Sequence, residues 1–165
     1  MEKILVVSDT HGSTYVLKAL LEAPPEGLCA VFHLGDGSEE SRRLMEKYPM
    51  YAYIGVKGNC DTGDTVSRDT VMTERGGVRF MLTHGHMYGV KASLMNAVVK
   101  AMEGGADVLL YGHTHIADDE TFETSFGCVR AVNPGSARSA EYAVVTVDNG
   151  NVSVELMRYF ANTRE

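Results

Sequence analysis

Residues 4–12 read Ile4-Leu5-Val6-Val7-Ser8-Asp9-Thr10-His11-Gly12. Four apolar residues, typical of a short buried strand, lead directly into a carboxylate and an imidazole. The same order recurs in four later segments: Ala30-Val31-Phe32 before Gly35-Asp36, Tyr51–Ile54 before Gly58-Asn59-Cys60-Asp61, Phe80-Met81-Leu82 before His84-Gly85-His86, and Val108–Tyr111 before Gly112-His113-Thr114-His115. Ligands of open α/β sheets bind where strands end, so these side chains are expected to converge on one crevice. Histidine grouped with carboxylate favours a metal site.

The composition of the chain narrows its class. At 165 residues the chain is long enough for a substantial core, and we expect one domain over 1–165. Hydrophobic residues make up 44% of it, which argues against disorder. The net charge is −7, and Arg42-Arg43 is the only pair of adjacent basic residues. A basic nucleic-acid footprint is therefore absent.

The expected location is the cytoplasm. No apolar stretch suits a signal peptide or a membrane span, so we expect no membrane partner. The three cysteines, Cys29, Cys60 and Cys128, are widely spaced and form no CxxC pair. This spacing argues against a disulfide framework or a thiolate zinc site and favours a reducing compartment.

The order of apolar runs and turns predicts α/β secondary structure. The first half is predicted to hold strands at 4–7, 30–34 and 51–56, with helices near 16–21 and 38–47. This βαβαβ order implies a parallel sheet. The second half is predicted to hold strands at 70–74, 78–83, 108–111, 121–126, 129–132, 142–147 and 152–157, and a helix at 90–102. Gly76-Gly77 suits a hairpin turn because glycine accepts positive φ.

Each motif alone also has a purely structural interpretation. Asp9 or Thr10 could cap the helix that follows, whereas an extended segment would place Asp9 and His11 on one side, where both can touch one metal. Asp36 and Asn59 both occupy turn-prone positions after strands. Histidine pairs are common on protein surfaces. The order and agreement of all five motifs, rather than any single one, favour the metal site.

Taken in order, the motifs resemble those of a known family. Asp-x-His, Gly-Asp, Gly-Asn-x-Asp, a later His and Gly-His-x-His are similar to the motifs of the calcineurin-like metallophosphoesterases, and in particular of their small YfcE-type phosphodiesterases. The resemblance covers about the first 140 residues, including Asn133-Pro134-Gly135-Ser136, which is expected to shape a loop at the rim of the site. It implies an α/β fold, a four-layer α/β/β/α sandwich. It also implies a metal-dependent phosphodiesterase that acts on a small phosphoester.

The resemblance further implies how two divalent metal ions are held. One ion would be bound by Asp9, His11, Asp36 and His115, and the other by Asp36, Asn59, His84 and His113. Asp36 would bridge the two ions, since each of its oxygens can bind one of them. Two divalent ions bring more positive charge than Asp9 and Asp36 cancel. The surplus suits a hydroxide and a phosphate ester.

The chemistry that follows is hydrolysis by a metal-bridging hydroxide. Two ions about 3.5–4 Å apart can share a water, lower its pKa and present it to phosphorus. Mixed nitrogen and oxygen ligands favour Mn, Fe, Co, Ni or Zn over Ca or Mg. Manganese is the first choice by resemblance. The candidate catalytic residues are Asp36, Asn59, Cys60 and His86.

Two of these candidates leave alternatives open. Many relatives have histidine where this chain has Cys60, and that histidine is thought to protonate the leaving group, although the small phosphodiesterases also carry cysteine. A thiol is a weaker acid, so Cys60 is expected to favour aryl or activated phosphodiesters; alternatively, it is a small buried residue without a chemical role. His86 either lines the phosphate pocket and donates to the leaving oxygen, or only braces the loop of His84. Asp61 either fixes a ligand by hydrogen bonding or caps the next turn.

A second hypothesis is a non-catalytic protein-binding scaffold on the same fold, as in the Vps29 subunit of retromer. A decayed pocket should lack ligands, whereas every expected ligand position is filled in this chain. A Rossmann domain does not fit because residues 6–12 lack Gly-x-Gly-x-x-Gly. Strands with exposed edges in the last part of the chain would permit a homo-oligomer such as a dimer.

Overall fold

The computed structural model describes residues 1–161, so residues 162–165 of the expected domain lie outside the described part. The strands are β1 Glu2–Val7, β2 Leu28–His33, β3 Ala52–Gly55, β4 Thr70–Arg75, β5 Val78–Thr83, β6 Val108–Leu110, β7 Asp118–Thr124, β8 Gly127–Asn133, β9 Glu141–Asp148 and β10 Asn151–Arg158. The helices are α1 Tyr15–Glu22, α2 Ser38–Met45 and α3 Met95–Glu103, with short 3₁₀ helices at His86–Tyr88 and Ala137–Ser139. Within residues 1–161, no helix is long and apolar enough to cross a membrane.

These strands form two five-stranded sheets. The first has the order β10-β9-β1-β2-β3 and the second the order β4-β5-β6-β8-β7. Strands β1, β2 and β3 run parallel, which confirms the predicted βαβαβ unit. Strands β5, β6 and β8 are also parallel, and β4 and β7 flank them as antiparallel edges. Both sheets therefore have parallel central strands whose carboxyl ends can meet.

Successive side chains of a central strand point to opposite faces of its sheet, which explains the layers of the fold. In β1, Ile4 belongs to the core between the two sheets, whereas Leu5 belongs to the core under α1 and α2. This alternation follows from the two-residue period of a strand. Phe32 and Phe80 meet edge to face across the two sheets, with ring centroids 6.1 Å apart. Helix α3 covers the outer face of the second sheet. The predicted four-layer α/β/β/α sandwich is confirmed.

The largest differences between predicted and observed bounds are at the starts of α3 and β7. Helix α3 begins at Met95 rather than at residue 90. Val90 is buried in the core under α3, so its apolar character reflects packing of a loop and not a helical turn. Strand β7 begins at Asp118 rather than at residue 121. Its first residues are acidic and carry no apolar pattern. They form a strand because they pair with β8, where Asp118 lies opposite Asn133.

Candidate metal centre

Loops that follow five strands meet at one edge of the sandwich. Hydrogen bonds join them: His113 N donates to Asp9, Cys60 N donates to Asp36, and Gly112 N donates to the carbonyl of His84. The first sheet supplies Asp9, His11, Asp36 and Asn59, and the second supplies His84, His113 and His115. All seven predicted ligands therefore lie in the loops of this one edge.

The first group consists of Asp9, His11 and His115. His115 Nε2 lies 3.0 Å from Asp9 Oδ1 and 3.2 Å from His11 Nε2. Asp9 is fully buried, and its Oδ2 accepts from the hydroxyl of Ser8 at 2.6 Å and the amide of His113 at 3.1 Å. Although His115 Nε2 lies close to it, its Oδ1 has no partner in hydrogen-bond geometry among the described residues. A buried oxygen without a partner is costly, and a cation held by these three side chains would remove that cost.

The second group consists of Asp36, His84 and His113, whose ligand atoms lie within 4.8 Å of one another. His84 Nε2 is 3.3 Å from Asp36 Oδ2 and 3.1 Å from Asn59 Oδ1. His84 Nδ1 lies 2.7 Å from the carbonyl of Leu34, and a carbonyl can only accept, so Nδ1 carries the proton. In the metal-free protein Nε2 donates to the carboxylate of Asp36. A bound cation would take the place of that proton, as in the usual arrangement of metal-binding histidines.

Asp36, a member of the second group, also lies near the first group. Its Oδ2 is 3.9 Å from His11 Nε2 in the first group, and its Oδ1 accepts from Cys60 N at 2.8 Å. Burial raises the pKa of Asp36, but hydrogen bonds from His84 and from Cys60 N outweigh burial and hold the pKa below its usual range. The side chain is therefore an ionised carboxylate with an oxygen directed to both groups.

Most of the predicted ligands have an unusual backbone conformation. Positive φ angles occur at Asp9 (56°), His11 (46°), Asp36 (55°), His113 (69°) and His115 (61°). Such a conformation costs about 1–3 kcal/mol in a non-glycine residue and concentrates at functional sites. The prediction that Asp9 and His11 share one side of an extended segment is thus wrong, since a turn brings them together. The capping interpretation is also wrong, because α1 begins at Tyr15 after Thr14, with no side-chain cap.

Cys60 and His86 border the two groups. Cys60 is exposed, so its interpretation as a buried residue is wrong, and its sulfur lies within 4.8 Å of ligand atoms of His11 and Asp36. Partial burial and the carboxylate of Asp36 raise the pKa of the Cys60 thiol. The His86 ring centroid lies 5.4 Å from that of His84, and His86 Nδ1 is buried without a partner among the described residues. Burial and the neighbouring His84 lower the pKa of His86.

Residues other than the predicted ligands also support the ligand loops. Ser136 Oγ donates to the carbonyl of Asp9 at 3.1 Å, and Asn133 Nδ2 donates to the carbonyl of Gly112 at 3.2 Å. The 133–136 loop therefore stabilises two ligand loops by hydrogen bonds, in addition to the predicted role at the rim of the site. At Gly58, a Cβ atom would overlap the backbone nitrogen and carboxylate of Asp36. Only glycine permits this close approach of the two loops, which the sequence alone does not indicate.

His33 connects two of the ligand loops from inside the core. Its Nδ1 accepts from the amide of Gly35 at 3.2 Å, which leaves Nε2 to donate to Thr10 Oγ1 at 3.1 Å. The ring is fully buried, and this burial lowers the pKa of His33 to about 4. Both ring nitrogens are thus satisfied in the neutral form, as expected of a core histidine.

The neutral His33 predicts a pH dependence of stability. Below pH 6.5, His33 of the unfolded chain binds a proton, whereas His33 of the folded protein stays neutral down to about pH 4. The free energy of unfolding therefore falls as the pH drops through this window. Between pH 6.5 and 5 the loss from this group is about 2 kcal/mol. We expect the stability advantage of the wild type over His33→Gln to shrink by this amount between pH 7 and pH 5. Urea unfolding of both metal-free proteins at the two pH values measures it, and parallel pH profiles would contradict the assignment.

A four-layer sandwich with a carboxylate between two histidine groups at its edge defines the metallophosphoesterase class of hydrolase. Residues 2–150 match the family model described as the calcineurin-like phosphoesterase superfamily domain. The chain therefore belongs to the calcineurin-like phosphoesterase superfamily, as its motifs indicate. It is 32% identical over 170 residues to the probable metallophosphoesterase YsnB of Bacillus subtilis, covering 98% of this chain and 94% of the relative. It is 30% identical to phosphodiesterase YfcE of Escherichia coli K12, covering 82% and 79%.

The fold is also similar to that of a protein-sorting subunit. The structure of Vps29 from Entamoeba histolytica in complex with Zn²⁺ matches with a TM-score of 0.69 at 20% identity, covering 94% of this chain and 98% of Vps29. At this identity the likeness concerns the fold alone. It agrees with the α/β/β/α arrangement of the two sheets.

Proposed function

We propose that this protein is a dinuclear metal-dependent phosphodiesterase. The observation that carries the proposal is the position of Asp36, an ionised carboxylate with Oδ2 3.3 Å from His84 Nε2 and 3.9 Å from His11 Nε2. A carboxylate between two histidine groups suits two divalent ions better than one. The likeness to relatives named metallophosphoesterase and phosphodiesterase agrees with this activity.

The donor set fits two divalent transition-metal ions. Asp9, His11, Asp36 and His115 would hold one ion, and Asp36, Asn59, His84 and His113 the other. When bound, the pair would supply the positive charge that activates water for attack on phosphorus and stabilises the phosphoryl oxygens. Mixed imidazole and carboxylate ligands suit manganese, iron, cobalt, nickel or zinc, and manganese is our first choice because of the family resemblance.

The chain's own residues would then orient the substrate and its leaving group. Asp36, Cys60, His11 and Glu40 border a cavity of about 280 Å³, a size that suits a small phosphoester. His86 stays neutral because its pKa is lowered by burial and by His84, so it can donate one hydrogen bond to a phosphoryl or leaving oxygen. Among the described residues no lysine or arginine borders this cavity, which would leave charge neutralisation of the ester to the metal ions.

We also propose the cytoplasm as the site of action. The three cysteines, Cys29, Cys60 and Cys128, are free thiols. Free thiols, one of them exposed beside the candidate metal centre, are preserved in a reducing compartment.

Metal removal tests the proposed function. Exhaustive chelation of the purified protein is expected to abolish hydrolysis of bis(p-nitrophenyl) phosphate, because no side chain of the site replaces the lost charge. Added Mn²⁺ should restore the activity, and elemental analysis should give about two ions per chain at saturation.

A matched titration with Mg²⁺ serves as the control. Histidine-rich sites bind Mg²⁺ poorly, so Mg²⁺ should restore far less activity than Mn²⁺ at the same concentration. Full activity in protein shown to be free of metal would refute the proposal. Saturation at one ion per chain would refute the dinuclear centre while leaving a metal-dependent hydrolase.

A non-catalytic scaffold is the second candidate function. An apolar strip formed by Met95, Val99 and Phe126 is exposed, and Phe126 presents 91% of its surface to solvent. Exposed apolar patches of this kind often bind proteins. Every predicted ligand position is filled, which favours the enzyme over the scaffold, since a pocket that had lost its activity should lack some of these side chains.

A further inference from the structure

We propose that Asp61 is a positioning residue that locks the bridging carboxylate of Asp36 in place. This inference deepens the proposed function and rests on it. Asp61 Oδ2 accepts from the amides of Asp36 and Gly58, both at 2.8 Å. Its Oδ1 accepts from the amides of Gly37 at 2.8 Å and Ser38 at 3.2 Å. One carboxylate thus receives four backbone donors from two ligand loops.

These four hydrogen bonds act on the residues that most need restraint. Asp36 has a φ of 55°, which a non-glycine residue keeps only where the surroundings enforce it; Gly37 follows with a φ of 132°, which glycine accepts without a steric cost. Asp61 supplies this enforcement through the amides of both residues. With the backbone fixed, the side chain of Asp36 keeps Oδ2 directed to both histidine groups.

Asp61 also replaces a missing helix cap. Helix α2 begins at Ser38, and its N-cap Gly37 offers no side-chain acceptor. The amides of Gly37 and Ser38 belong to the first turn, whose donors lack partners within the helix. A carboxylate at this end is favoured by the helix dipole as well. The bridging loop is therefore tied at the same point to α2 and, through Gly58, to the loop of Asn59.

Asp61 does not belong to either group of predicted metal ligands. Both of its oxygens are engaged by amide donors at hydrogen-bond distance, and amides hold a carboxylate in the acceptor role. Its effect on bound metal would accordingly pass through Asp36. Residues that orient metal ligands from outside typically contribute about 10- to 100-fold to metal affinity.

The Asp61→Asn variant tests this role. Asparagine has nearly the same shape, but its NH₂ group cannot accept, so two of the four amides lose their partner. We expect Mn²⁺ affinity, measured by calorimetry on metal-free protein, to fall about 10- to 100-fold. Because Asp36 is shared, both binding events should weaken together. In electron paramagnetic resonance, the Mn²⁺-loaded wild type is expected to show coupling between paired ions, and the Mn²⁺-loaded variant should lose it.

Asp64→Asn is the matched control. Asp64 lies three residues further along the same loop and accepts from the amides of Val66 at 2.8 Å and Ser67 at 2.9 Å, and from the hydroxyl of Ser38. It accepts no amide from residues 36 or 58. We expect Asp64→Asn to lower the melting temperature of the metal-free protein while keeping Mn²⁺ affinity within about twofold of the wild type, well below the 10-fold effect of an orienting residue.

The measured affinities distinguish a failure of the positioning role of Asp61 from a failure of the proposed function. Equal Mn²⁺ affinity in Asp61→Asn and the wild type, or an equal loss in Asp64→Asn, would overturn the positioning role while the proposed function stands. A wild type that binds no Mn²⁺ would overturn both. If Asp61→Asn does not fold, Asp61→Glu keeps the charge and both oxygens but shifts them by one methylene. Its Mn²⁺ affinity should be lower than that of the wild type but still measurable. Wild-type affinity in this variant would overturn the inference.

Discussion

Asp36→Asn is expected to lose both metal ions and nearly all diesterase activity. Asn has almost the same shape, and its amide oxygen can still accept from Cys60 N, as Asp36 Oδ1 does at 2.8 Å. Its NH₂ group would then face His84 Nε2, which lies 3.3 Å from the native Oδ2. A neutral donor there repels a cation from both histidine groups at once. Losing roughly 4 kcal/mol of transition-state stabilisation lowers kcat/KM about 10³-fold.

Two companion variants show whether this loss reflects a shared carboxylate. Asn59→Ala removes an amide that contacts only the second group, through His84, so it should reduce metal content by about one ion of the two. Asp107→Asn is a remote control, because Asp107 is exposed and, among the described residues, its side chain accepts only from Arg79 N. Elemental analysis and hydrolysis of bis(p-nitrophenyl) phosphate are measured on all four proteins. Wild-type metal content in Asp36→Asn would contradict the bridging role.

Cys60→His is expected to extend the enzyme toward esters with poor leaving groups. The Cys60 thiol lies within 4.8 Å of ligand atoms of His11 and Asp36, and partial burial and the Asp36 carboxylate raise its pKa. It is therefore a poor proton donor at neutral pH. An alkyl alkoxide needs a proton to leave, whereas an aryl oxide needs little help. Well-placed general acids contribute about 10²–10⁴ in rate, and a grafted imidazole should recover part of that.

The comparison with Cys60→Ala isolates the effect of the imidazole. Cys60 N makes the hydrogen bond to Asp36, so either substitution leaves that bond in place. We expect metal content to stay unchanged in both variants. The ratio of kcat/KM for an alkyl phosphate monoester to that for a nitrophenyl diester should rise only in Cys60→His. Equal ratios in the two variants would mean that position 60 does not face the leaving group.

Much of the secondary structure was predictable because a short segment of sequence indicates its own strand or turn. The run Ile4–Val7 and the turn at Gly76-Gly77 express strand and hairpin preferences locally, so both were predictable from the sequence. Val90 misled the prediction of α3 because a buried loop residue and a helical core residue look alike in one dimension. Strand β7 begins at Asp118 only because β8 lies beside it, and pairing between strands leaves no local pattern.

It was predictable that the residues of the candidate site would meet at one edge of the sheets, but the geometry of their meeting was not. Histidine and aspartate at the ends of apolar runs identify Asp9, Asp36 and His84 by their chemistry and position. Nothing in the sequence reveals that Asp9 and Asp36 have positive φ, or that one oxygen of Asp9 is buried without a partner. Three of the four amide contacts of Asp61 also depend on a meeting of segments that lie 25, 24 and 23 residues apart in the chain. Such features arise from tertiary packing and require the folded coordinates.

The supply of ligands by both sheets has a mechanical consequence. His11 follows β1 and His115 follows β6, and their Nε2 atoms lie 3.2 Å apart although 104 residues separate them in the chain. An ion shared by these side chains would cross-link the two halves of the sandwich at their common edge. A cross-link between distant residues removes freedom from the unfolded chain, as a disulfide does. The ions that perform the chemistry would thus also fasten the two sheets together, and metal loss would loosen the whole sandwich as well as end catalysis.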